Sequence, residues 1–274
     1  MRNWTLLLAL FIGLQLSAQD AEWTSIKDIN PFIGTGGRGH THPSAQAPFG
    51  MIQLGPNTRY DGWDGCSGYH YTDSAMYGFT CTHLSGTGVS DYGDLLILPY
   101  SSPTKEGDHI KFFKEDEHAQ AGYYACILDD GTRIEATAGD RIGKLRLHFP
   151  RNSSPGIMVD LNFRDRVLKQ DFSALGAGKF EGRRISEGWA REQHFYFGFE
   201  VSPAPDSVWK LSPGVYWLSL PEGTVDAEVS IGMSGTSEKG AWTNFFGEEA
   251  FRPFEDVFTE TQEKWQNELA KSKV

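Results

Sequence analysis

From Asp94 onward the chain is a succession of short apolar or alternating runs: DLLILP, YYACIL, TRIEATA, KLRLHF, GIMVDL, HFYFGFEV, GVYWLSL and VDAEVSIGM. Their brevity and their β-branched and aromatic content suit strands better than helices. Between them stand Asp130-Gly131, Ser154-Pro155-Gly156, Ser212-Pro213-Gly214 and Pro221-Glu222-Gly223, turns in which glycine supplies positive φ and proline presets its own. Strands joined so closely fold back antiparallel, and the spacing predicts an all-β fold, a large antiparallel β-sandwich. The aromatic stock of 18 Phe, 10 Tyr and 8 Trp, with 31 Gly, fits that reading. No repeat, low-complexity tract or Gly/Ser linker divides the body, so residues 19–250 read as one domain.

Asp and Glu outnumber Lys and Arg by 36 to 25, leaving a formal charge of −11. Such a surface repels phosphate backbones and anionic lipid, which excludes nucleic-acid binding as a main role. At the start, Arg2, the apolar stretch Leu6 to Leu16 and the small pair Ser17-Ala18 have the form of a signal peptide over residues 1–18. The stretch is too short to span a bilayer and polar residues follow it, so the expected product is exported, periplasmic or secreted, with no membrane attachment after signal removal. Cys66, Cys81 and Cys126 are an odd and sparse set with no zinc-binding spacing, and they read as structural thiols. At the other end, PFEDVFTETQEKWQNEL sets Phe254, Val257, Phe258, Thr261, Trp265 and Leu269 three and four apart. Residues 251–274 therefore read as an amphipathic connector helix, whose apolar stripe is expected to lie partly uncovered in the absence of a partner domain.

The stretch from Asn30 to Asp94 differs from this scaffold. Glycines crowd it, among them Gly34, Gly36, Gly37, Gly39, Gly62, Gly65, Gly68, Gly86 and Gly88, interleaved with His40, His42, His70, His83, Trp63, Tyr69 and Tyr71. Loops of this composition bring backbone close to a neighbour and are where binding residues gather. Gly34-Thr35-Gly36-Gly37-Arg38-Gly39 has the letters of a dinucleotide fingerprint, but Pro43 and Pro48 preclude the helix that must follow it. His40 and His42, two apart, could point the same way as metal ligands with Asp61, Asp64, His70 or His83 as a third, or could bind substrate or backbone instead. The segment Trp63-Asp64-Gly65-Cys66-Ser67-Gly68-Tyr69-His70-Tyr71 combines large aromatics with a carboxylate, an imidazole and a hydroxyl. Sugars need that mixture, since their C–H faces lie on rings while their hydroxyls require convergent donors and acceptors. His83-Leu84-Ser85-Gly86-Thr87-Gly88 could close the same pocket. The alternative is an aromatic-stapled turn packed on the core.

INPFIGTGG, APFGMIQL, WDGCSGYHY and YGFTCTHLSGTGVSDYGDLLILP, in this order from Ile29 to Pro99, closely resemble the N-terminal domain of glycoside hydrolase family 92, the calcium-dependent exo-acting α-mannosidases. The resemblance implies a β-sandwich that packs, through connecting helices, on a C-terminal (α/α)6 catalytic barrel in cis or in trans, with the active site between them. It implies α-mannoside glycans as substrate, and Trp63, Asp64, Cys66, Tyr69, His70, His83, Gly86 and Thr87 as substrate-binding positions. It also implies that the general acid, the general base and most of the Ca2+ ligands belong to the barrel, whose motifs this sequence lacks, so no catalytic or metal-binding residue is assigned here. Arg38, His42 and Ser44 depart from the family's pattern, whereas the intact WDGCSGYHY accompanies α-1,2-mannoside activity in the family. Asp61 and Asp64, three apart in a glycine turn, are poorly spaced for an inverting pair, which needs carboxyls about 6.5–9.5 Å apart. The competing expectations are a carbohydrate-binding module without catalysis, and a purely structural sandwich.

Overall fold

The computed structural model describes residues 25–86 and 88–272. The signal-peptide segment and Thr87 lie outside the described residues. All pairings among the described strands are antiparallel. One sheet has six strands, in the order Gly55–Asn57, Gly78–Thr80, Leu96–Tyr100, Gly156–Asp160, Val215–Ser219 and Ser207–Ser212. The other has eight, in the order Arg166–Gly176, Lys179–Glu187, Gln193–Ser202, Asp226–Ser234, Ile142–His148, Arg133–Ala138, Tyr123–Ile127 and His118–Gln120. A two-stranded ribbon pairs Ala75–Met76 with Ile110–Lys111. Each apolar run of the sequence supplies a strand, and the inward residues Ile97, Ile157, Val159, Leu145, Leu147, Phe197, Phe199 and Ile231 join one buried cluster. The fold is the expected sandwich.

Two helices stand at the C-terminal end, where the sequence indicated one. The first, α1 (Glu238–Gly247), starts at Ser237, whose hydroxyl accepts the Gly240 amide at 3.0 Å. It lies across the eight-stranded sheet where Gly198 and Gly232 pair side by side. A Cβ on Gly198 would stand 2.7 Å from the Trp242 indole, and one on Gly232 would stand 2.6 Å from the Ala241 carbonyl. The bare backbone of this glycine pair is the bed on which the helix rests.

The second helix is α2 (Phe254–Leu269). Its stripe is covered at Phe254 and Val257, which are 2% and 1% exposed, while Phe258, Trp265 and Leu269 stay partly uncovered, as expected. The helix lies on the same sheet as α1, with Thr261 donating to the Ala138 carbonyl at 2.7 Å and the Trp265 indole N–H donating to Gln46 O at 2.7 Å. Lys144, fully buried in the strand Ile142–His148, ties the inter-helix turn down by donating to Ala250 O at 2.9 Å and Arg252 O at 2.6 Å, with Glu228 as counter-charge. An amphipathic stripe read from sequence says that something covers it. Here the sandwich's own outer face does.

At one end of the sandwich the interior is polar. The strand Lys179–Glu187 alternates buried and half-buried residues, and its inward side chains run from Phe180 to Arg184 and Ser186. Arg184, with no exposure, meets the buried Asp94 at 2.5 Å and donates to the Leu161 and Phe163 carbonyls at 3.0 and 2.8 Å. This network anchors the far end of the glycine-rich stretch, because Asp94 also accepts from the Thr82 hydroxyl at 2.7 Å.

Candidate functional site

The glycine-rich stretch folds into loops, with only short strands between them. Trp63 opens a single 3-10 turn (Trp63–Gly65) that follows Gly62 at φ 89°, and its indole remains 63% exposed. One flank of that indole rests on Gly88, a left-handed residue (φ 74°) at which any Cβ would overlap the ring. His40 meets the indole edge-on, ring centroids 5.2 Å apart. His40 is itself held in the left-handed region at φ 56°, where a non-glycine residue is strained, and its carbonyl accepts the Gly86 amide at 2.6 Å.

His40 Nε2 and Asp64 Oδ1 face each other at 3.9 Å. Both atoms are buried and neither has a hydrogen-bond partner. That separation is too long for a direct bond, so both atoms are left unsatisfied. The exposed indole beside the half-exposed Asp64 carboxylate, with His40 buried behind it, offers a sugar an apolar face together with an acceptor for its hydroxyls.

Four other sequence-derived positions, Cys66, Tyr69, His70 and His83, are buried, and Thr87 lies outside the described residues. Cys66 is fully buried, and its carbonyl accepts from Arg164 at 2.9 Å. The Tyr69 hydroxyl donates to Glu117 at 2.8 Å and accepts from Lys114 at 2.6 Å. Burial and the Glu117 charge push that phenol's pKa far up, so it stays protonated. Lys114 sits 4.9 and 4.6 Å from the Tyr69 and Tyr71 ring centroids, pinning the end of the motif to the sandwich. The His70 ring pairs with the Thr72 hydroxyl at 2.9 Å and the Gly37 carbonyl at 3.3 Å, clasping the first glycine loop. His83 Nδ1 donates to Gln53 O at 2.9 Å, which leaves Nε2 to accept from Asn57 at 3.2 Å. Burial, with His42 close by, holds the His83 pKa well below the usual histidine range.

Trp63, Asp64 and Gly86 are thus brought to one surface notch together with His40. Cys66, Tyr69, His70 and His83 are instead buried in the supporting structure. Sequence reading passed over Arg164 and Arg184 because they stand far along the chain, in or beside a strand of the scaffold. It weighed His40 as a metal ligand or as a residue that binds substrate or backbone, without assigning it to the site. The signal for His40 was the histidine placed between Gly39 and the following Pro43, in a loop dense with glycine.

His40 and His42 do not converge on one point. His42 packs against His83 with ring centroids 4.7 Å apart and planes tilted by 31°, and burial lowers its pKa to about 4. Among the described residues no three His, Cys, Asp or Glu side chains gather to hold a metal ion. The orphaned His40 and Asp64 atoms offer one nitrogen and one oxygen, whereas Ca2+ takes about six to eight oxygens. The described residues therefore do not make a calcium site. All three cysteines are free and buried.

Comparison with known proteins gives this architecture a relationship. An uncharacterized secreted glycosidase of Arthroderma benhamiae is 29% identical over 171 residues, covering 57% of this chain and 22% of that protein. The solved structure of a family GH92 alpha-mannosidase from Bacteroides thetaiotaomicron superposes with TM-score 0.82 at 28% identity, over 90% of this chain and 38% of that one. A family GH92 inverting mannosidase from the same organism superposes with TM-score 0.77 at 20% identity, over 88% of this chain and 36% of that one, and this shows a shared fold. The chain spans about a fifth of the curated relative and less than two fifths of the solved structures. The sequence pattern of the glycosyl hydrolase family 92 N-terminal domain matches residues 29–250. The chain belongs to glycosyl hydrolase family 92, of which residues 29–250 are the N-terminal domain.

Proposed function

We propose that this chain is the substrate-shaping N-terminal domain of an exported, inverting exo-α-mannosidase that acts on α-mannoside glycans and prefers α-1,2 linkages. The observation that carries the reading is the 28% identical superposition on the N-terminal portion of an α-mannosidase. Trp63, with its exposed indole beside the unpaired His40 and Asp64 atoms, supplies the surface a mannosyl unit would lie on. In this reading the general acid, the general base and the calcium site are contributed by a catalytic domain outside these residues. Trp63 orients the sugar ring by stacking, the half-exposed Asp64 carboxylate accepts from a hydroxyl with His40 behind it, and Gly86 and Gly88 keep the wall beside the indole low. An aromatic staple packed inward would hide its indole, and the exposure of Trp63 speaks instead for a ligand.

The test is calorimetric titration of the chain with α-mannobiose, beside an assay for released mannose with and without Ca2+. Expected are saturable binding at millimolar affinity or better, its loss in Trp63→Ala with an unchanged unfolding midpoint, and no mannose release. Mannose release that Asp64→Asn abolishes would overturn the division of labour. Loss of folding in Trp63→Ala would favour a structural role for the indole.

A further inference from the structure

A second indole is presented by the same loop system. Trp189 stands in the turn between the strands Lys179–Glu187 and Gln193–Ser202 and is 73% exposed. Its ring is free, but its backbone is not. The Trp189 amide donates to Asp91 Oδ2 at 2.6 Å, and the Gln193 side chain donates to the same oxygen at 2.6 Å. Asp91 is buried, and Gln193 is held in turn by Ser186 at 3.1 Å, next to Arg184. A large apolar side chain left in water gains nothing from the fold, yet the turn that displays it is clamped by a buried carboxylate and a buried amide. Clamping of this kind lowers the entropy cost of gripping a ligand.

The clamp also sets where Trp189 stands relative to Trp63. Gly88 lies against the Trp63 indole, and Asp91 holds the Trp189 backbone. Those two anchor points are three residues apart in sequence, at most about 11 Å of chain. Both indoles thus rise beside one short stretch of loop, within the reach of a single short oligosaccharide. Arg191, exposed on the same turn and without an ion pair among the described residues, adds guanidinium donors for hydroxyl groups.

We infer that Trp189, with Arg191, forms a distal subsite for the extended part of a neutral manno-oligosaccharide whose terminal unit occupies the Trp63 notch; this rests on the mannoside reading above. Titration of the chain with α-mannobiose and with a longer linear α-linked manno-oligosaccharide separates the two. Expected in the unaltered chain is tighter binding of the longer sugar. Trp189→Ala should leave mannobiose affinity unchanged and weaken the longer sugar about five- to tenfold, the loss of one stacking contact, while Trp189→Phe should recover most of it. Trp63→Ala should weaken both sugars. Equal loss for both sugars in Trp189→Ala, or no loss for either, overturns the distal subsite and leaves the Trp63 reading standing. Failure of the unaltered chain to bind either sugar overturns both.

Discussion

Removing the carboxylate of Asp94 should be among the most damaging single changes open to this domain. Asp94 and Arg184 have side chains 3% and 0% exposed and meet at 2.5 Å. The guanidinium's other partners are neutral: the Leu161 and Phe163 carbonyls and the Ser186 hydroxyl. Asp94→Ala would leave the buried cation with hydrogen bonds but without its one directly bonded carboxylate, with only the Asp160 and Asp165 carboxyls at longer range to offset the charge, a loss that approaches the about 3–5 kcal/mol of a broken buried pair. A domain of this kind is stable by about 5–15 kcal/mol in total, so the variant would be close to unfolding. Asp94→Asn keeps one acceptor oxygen, enough for Arg184 or Thr82 but not both, and should lose less. Replacing both partners together with apolar residues should cost much less than the two single changes added, because neither charge is then stranded. The assay is equilibrium unfolding in urea followed by tryptophan fluorescence, with the double-mutant cycle completed. A loss below about 1 kcal/mol in Asp94→Ala, or a coupling near zero, would refute the reasoning. Since Asp94 closes the loop that carries Gly86 and Gly88, mannoside affinity should fall along with stability.

Two further changes probe other parts of the fold. Gly232→Val places a side chain where α1 already lies, with Phe245 Cβ 2.8 Å and Ala241 O 2.6 Å from its Cβ, and should cost at least the ~1–3 kcal/mol of an overpacked core. Gly247→Ala, with open space around its Cβ, should be neutral or stabilising in the same urea unfolding assay, and equal losses in both variants would contradict the glycine bed. Burial raises the Asp160 carboxyl to about 6, with Glu106 pushing the same way and the Asn162 amide and Arg184 opposing. The native state then binds more protons than the unfolded chain between about pH 4 and 6, so stability from this group falls as pH rises through that window. Asp160→Asn should accordingly be more stable than the parent at pH 7.5 and show no advantage near pH 4, whereas an advantage that persists at pH 4 would contradict the assignment.

The sandwich was legible because its central strands are apolar throughout: Gly156–Asp160 is buried at every position, and a run such as GIMVDL has no other use. The hairpin of Arg166–Gly176 and Lys179–Glu187 was not legible. Its first strand is mostly exposed, and the second turns Arg184 inward, where a pattern reading expects an apolar residue. That arginine is inside because Asp94, distant in sequence, meets it there, and no local window contains both. The helix α1 was missed for a related reason. It is short, its last residue is Gly247, and its apolar side chains divide between the buried Phe245 and the exposed Phe246. For the candidate site, the cluster of Trp, Asp and Gly could be read from residues 63–88. The separation of surface from supporting structure could not, since His70 and His83 differ from His40 only in whether the fold offers their nitrogens a partner.

The three thiols give the molecule its own set of clocks. Cys66 follows directly on the Trp63–Gly65 turn, while Cys81 and Cys126 belong to the main core, and burial drives the pKa of both core thiols strongly upward. An alkylating reagent needs a solvated thiolate, so each sulfur reacts only in the fraction of time its surroundings are open. Labelling at Cys66 therefore times the breathing of the loops that would grip a sugar, and labelling at Cys81 and Cys126 times the parting of the two sheets. The difference between those rates measures how independently the binding surface moves from the sandwich that carries it.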